Sequence, residues 1–73
     1  MNSNSDQNKT PFNKLLNDNW DYVFNYILKK TSDDYIAEEI TIQTFSKAFQ
    51  KIKLYDKKFS FKTWLISIAK NTY

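Results

Sequence analysis

The chain has 73 residues, 18% of them aromatic, with no Cys, no His, no Gly and one Pro, and a net charge of +3. Without Cys or His there are no disulfides, no thiolate or imidazole metal ligands and none of the usual nucleophile–base pairs, so no cofactor, no metal and no enzyme is expected. A folded part of roughly 60 residues buries only about 60% of its unfolded surface, which the large apolar area of the aromatic side chains offsets in part.

Charge is unevenly spread: +1 over residues 1–31, −4 over residues 32–46 and +6 over residues 47–73. An acidic middle beside a basic end implies two partners, or one partner with two faces. All eleven bases are Lys. Lysine meets phosphate as a point charge, so bidentate reading of guanine by Arg is out of reach.

Residues 1–10, MNSNSDQNKT, are polar throughout and read as a disordered tail. They lack the apolar stretch of a signal peptide. No run in the chain is long enough to span a bilayer, so no membrane insertion and a cytoplasmic location are expected.

The first helix is expected from Thr10, as N-cap, and Pro11, at the first helical position, to Lys29 and Lys30 at its negative end. Its core stripe is Phe12, Leu16, Trp20, Val23, Phe24 and Ile27, at helical spacing. Thr31-Ser32-Asp33-Asp34 starts the second, with Thr31 or Ser32 as cap and both Asp in the first turn. It is expected to run to Ile52 or Lys53 on a core stripe of Ile36, Ala37, Ile40, Thr44, Phe45, Ala48, Phe49 and Ile52. The opposite face is Glu39, Ile42, Gln43, Ser46 and Gln50. Ile42 is either an ordinary exposed side chain or an anchor for a partner helix.

A connector over residues 53–59 turns near Tyr55-Asp56-Lys57, and Ser60 caps the last helix. That helix places Phe61, Trp64, Leu65, Ile68 and Thr72 on one side and Thr63, Ile66, Ser67, Lys70 and Tyr73 on the other. The lysine-rich loop with aromatics feeding a cationic helix face suits a nucleic-acid strand. No stop signal precedes Tyr73, so a continuation is expected. The whole is an all-α fold, a small bundle of three main helices with a short helical turn between the second and last. Adjacent acidic pairs, Asp33/Asp34 and Glu38/Glu39, point apart on a helix and make no catalytic dyad.

Three stretches in order resemble region two of bacterial RNA polymerase sigma factors of the extracytoplasmic-function (ECF) type. They are WDYVFNYIL at residues 20–28, AEEITIQTF followed by SKAF at residues 37–49, and FKTWLISIAKN at residues 61–71. The resemblance covers residues 12–73. It implies a domain over residues 11–73, cut before a linker and a helix-turn-helix domain.

It also implies that Glu38, Glu39, Ile42, Gln43 and Ser46 bind the clamp helices of the polymerase β′ subunit. Lys57, Lys58, Ser60, Lys62, Thr63, Trp64, Ser67, Lys70 and Asn71 would bind the non-template strand of the promoter minus-ten element and hold a flipped base. An anti-sigma factor is a further partner of such proteins. The family often has Gln and an acid where this chain has Ile42 and Gln43, so clamp contact is expected to lean on apolar burial. Ser67 stands where the family often has a base, which weakens one backbone contact. Two rival readings remain: a helical protein-interaction module without DNA contact, and a basic helix lying on anionic membrane.

Overall fold

A computed structural model describes the backbone of residues 11–73 and the side chains of residues 13–73. The expected tail over residues 1–10, the Thr10 cap and the Phe12 side chain lie outside the described residues. Three helices, α1 (Pro11–Thr31), α2 (Asp34–Gln50) and α3 (Phe61–Thr72), are joined by a two-residue link and by a 3-10 turn (Ile52–Leu54) with a short loop. Among the described residues there is no strand. None of the helices is long and apolar enough to cross a membrane.

The link between α1 and α2 corrects the sequence reading twice. Ser32 takes a left-handed backbone, φ 55°, and its N–H bonds the Leu28 carbonyl at 2.7 Å. A helix C-terminus usually gives this position to Gly, and this chain has none. Because Ser32 closes α1, neither it nor Thr31 caps α2. Asp33 does so, its carboxylate accepting from the Ile36 N–H at 3.0 Å, while Thr31 Oγ1 accepts from the Asp33 N–H.

The core joins all three helices through Val23 and Ile27 of α1, Ala37, Phe45 and Ala48 of α2, and Leu65, Ile68 and Ala69 of α3. Trp20 stacks on Phe45 with ring centres 5.8 Å apart, holding α1 to α2. The expected stripe of α2 is rotated in fact. Ile36 and Phe49 are 42% and 58% exposed, while Thr41 is fully buried. The Thr41 hydroxyl donates to the Ala37 carbonyl at 2.6 Å, and that of Thr44 to Ile40 at 2.8 Å. These small side chains fill the helix-facing side and satisfy their polar atoms within the helix. The second helix also ends at Gln50, short of the expected Ile52 or Lys53.

Two polar ties reach α3. Asn19, 4% exposed on α1, donates to the Leu15 carbonyl and accepts from the Lys62 ammonium at 2.6 Å. On α2, Lys47 donates to the Thr72 hydroxyl at 3.1 Å. Among the described residues no buried side-chain polar atom lacks a partner.

Candidate functional site

The connector before α3 is an irregular loop fixed by its own side chains. The Tyr55 hydroxyl donates to the Phe59 carbonyl, Asp56 Oδ1 accepts from the Lys58 N–H at 2.9 Å, and the Asp56 carbonyl accepts from the Phe59 N–H. Beneath it the rings of Tyr55, Phe61 and Trp64 lie mutually 5.0–5.7 Å apart. Edge-on and tilted contacts of this kind stabilise beyond area burial alone. They give the loop a small apolar base of its own.

On this base, Phe59, Thr63, Trp64 and Ser67 wall a cleft of about 280 Å³. Phe59 is 58% exposed, and Lys57 and Lys58 precede it, both exposed. Phe59 was overlooked as a site residue. The signal was in the stretch KKFSFK, where aromatics alternate with polar residues, and only Phe61 of the two continues the helical stripe.

The other sequence-derived residues divide. Ser60 caps α3, its Oγ accepting from the Thr63 N–H at 3.1 Å while its hydroxyl bonds Thr63 Oγ1 at 2.8 Å. The Ser67 hydroxyl donates to the Trp64 carbonyl. Trp64 is half-buried, with one side in the ring cluster and the other in the cleft. Asn71 is exposed one turn beyond Ser67, on the same side of α3, and Lys70 is exposed next to it. Lys62 departs from the group. It turns toward α1, bound to Asn19 and 5.4 Å from the centre of the Tyr22 ring.

The outer face of α2 is a separate surface. Glu38, Glu39, Ile42, Gln43 and Ser46 are all exposed, Ile42 by 52%. The structure adds two residues that the sequence reading did not place there, Tyr35 (68% exposed) and Phe49. Tyr35, Ile42 and Phe49 recur every seven residues, the spacing at which one helix meets another along its length. The Tyr35 hydroxyl donates to Glu39 Oε2 at 2.9 Å. That bond, with the nearby Glu39 charge, holds the Tyr35 phenol above its usual value of 10.0. Beside the stripe, Leu16, Trp20, Ile42, Phe45, Ser46 and Phe49 line an apolar groove of about 440 Å³ between α1 and α2.

Residues 15–73 match the family model described as Sigma-70 region 2. The chain is 33% identical over 51 residues to the ECF RNA polymerase sigma factor SigM of Bacillus subtilis (strain 168), an alignment covering 70% of this chain and 31% of that protein. It thus spans about a third of the length of that curated relative. No solved structure matches the chain.

Proposed function

The chain belongs to the Sigma-70 region 2 family, a domain of transcription initiation factors, and on that premise we propose that it binds core RNA polymerase and opens the minus-ten element of promoters. The observation that carries this reading is the Phe59/Thr63/Trp64/Ser67 cleft beside Lys57 and Lys58. An opened strand offers phosphates to lysines and base faces to aromatics, with stacking worth about 1–3 kcal/mol per base. Unstacking one base costs only a few kcal/mol, so a cleft that receives it can hold the strand open. Thr63, Ser67 and Asn71 lie along the cleft side of α3 and supply hydrogen bonds to base edges, which lysine contacts to phosphate do not.

The α2 face takes the other role. Its seven-residue stripe, with Glu38 and Glu39 between the apolar positions, suits the clamp helices of the polymerase β′ subunit. Ile42 contributes apolar burial there and Gln43 and Ser46 hydrogen bonds. An anti-sigma factor would compete for such a face, and the cytoplasm is where such a complex would act.

The test is binding of a labelled single strand of minus-ten sequence, followed by fluorescence anisotropy at two salt concentrations. Replacing Lys57 and Lys58 by Ala is expected to weaken binding and to flatten its log–log salt slope by about 1.4, at about 0.7 per phosphate contact. Phe59→Ala, at an exposed ring outside the core, is expected to cost about 1–3 kcal/mol with the salt slope unchanged. Unchanged affinity in both variants would remove the DNA role and leave the helical interaction module.

A further inference from the structure

We propose that two copies of this chain pair antiparallel through the outer faces of their α2 helices, and that this dimer masks the surface offered to polymerase. The masking, though not the dimer, rests on the reading of α2 as the docking face. Tyr35, Ile42 and Phe49 give each copy an apolar stripe, 68%, 52% and 58% exposed. Their seven-residue spacing lets one such stripe lie along another. A two-fold axis between the copies makes the contact self-complementary.

Charge selects the orientation. The start of α2 is acidic, with Asp33, Asp34, Glu38 and Glu39 exposed, and the residues just past its end are basic, with Lys51 and Lys53 exposed. Among the described residues none of these six forms an ion pair within the chain. A parallel pair sets acid against acid. An antiparallel pair crossing at Ile42 sets each acidic start against the basic end of the other copy. Tyr35 and Phe49, seven residues either side of Ile42, then come level, and so do Asp33 and Lys51, nine either side.

A cleft lies where that lysine arrives. Trp20 and Phe24 of α1 with Asp34, Tyr35 and Glu38 of α2 wall a space of about 480 Å³. Its two carboxylates pair an ammonium and its rings attract one, and this chain carries the cation at the opposite end of the same helix. At the other end of the stripe, the apolar groove beside Phe49 comes level with Tyr35 of the other copy. The 17 residues of α2 make a face about 25 Å long. Such a face covers less than the roughly 1,600 Å² of a standard interface, so the dimer is weak and depends on concentration.

The test is sedimentation equilibrium of the 73-residue chain from about 1 μM to about 1 mM. The average mass is expected to rise from 8.8 kDa toward twice that value. Ile42→Lys should weaken the pairing roughly tenfold or more, and so should Lys51→Glu with Lys53→Glu. Asp34→Lys with Glu38→Lys should do the same, yet mixing the two charge-reversed chains should restore a one-to-one dimer. Circular dichroism should show unaltered helix content throughout. Capture of polymerase per mole of chain should fall as the unsubstituted chain passes through its dimer range, and should not fall for Lys51→Glu with Lys53→Glu. A chain that stays monomeric at the highest concentration overturns the proposal and assigns the stripe to another partner. A dimer indifferent to Ile42→Lys or to the charge reversals lies elsewhere and overturns it equally. Capture that holds steady through the dimer range overturns the masking. If the dimer forms as described but polymerase is captured at no concentration, the docking reading falls while the dimer stands.

Discussion

The outer face of α2 and the basic loop before α3 are both exposed, and they are held in place by opposite means. On α2 the helix backbone does the positioning. Ala37, Thr41, Thr44, Phe45 and Ala48 are buried on one side, which fixes the rotation and leaves Tyr35, Ile42 and Phe49 outward. The loop has no repeating backbone, so individual side chains replace it: the Tyr55 hydroxyl, the Asp56 carboxylate and the Ser60 cap. A helix face therefore tolerates substitution of the residues it displays. The loop loses its shape along with them.

The strongest way to break this contrast is to remove the core that both surfaces share. Leu65 is fully buried in α3, and Leu65→Ala is expected to cost about 2–5 kcal/mol, a large part of the 5–15 kcal/mol typical of a domain. Thermal unfolding followed by circular dichroism should fall sharply, and polymerase and strand binding should fail together. Survival of one activity alone would mean that the two surfaces are separately stable. A smaller, cleaner separation comes from Glu39→Lys combined with Ile42→Lys. Polymerase clamp binding in a pull-down should be lost, while helix content and strand affinity stay as they were. Undiminished pull-down would show that α2 is not the docking face.

The same contrast explains how much was legible in the sequence. Three helices, Pro11 at a helix start and Ser60 as a cap follow from spacing and local hydrogen-bond chemistry, and the motifs at residues 37–49 and 61–71 carried the family. The rotation of α2 did not. Ile36 and Phe49 look like core by type, and Thr41 looks like surface, but α1 and α3 approach α2 along the side where a small threonine fits. Asn19 was equally hidden, because the partner of its side-chain oxygen is Lys62, 43 residues away. Thr31 or Ser32 was expected as the cap, but in this chain without glycine Ser32 takes the left-handed position that closes α1. Phe59 was missed because its exposure is set by the ring cluster of Tyr55, Phe61 and Trp64 beneath it.

Two tyrosines make the sharpest small-scale comparison, since each donates to a residue four positions later. Tyr55 bonds the Phe59 carbonyl in the loop, and Tyr35 bonds the Glu39 carboxylate on α2. Tyr55→Phe is expected to cost about 1 kcal/mol and to weaken strand binding, since it frees the backbone that presents Phe59. Tyr35→Phe should leave strand binding untouched. The Tyr35 bond shows itself instead at high pH. Its phenol is raised above 10.0, first by the hydrogen bond to Glu39 and then by that residue's charge. A raised acid binds its proton more tightly in the folded chain than in the unfolded one. Its contribution to stability is therefore complete below pH 10 and is lost as the pH rises through the folded value. Glu39→Ala removes both the acceptor and the charge and should return the Tyr35 ionisation toward 10, as read from tyrosinate absorbance against the Tyr35→Phe background. An unmoved titration would mean that the helix face displays Tyr35 without engaging it. The α2 surface would then owe nothing to side-chain bonds, and the contrast with the loop would be complete.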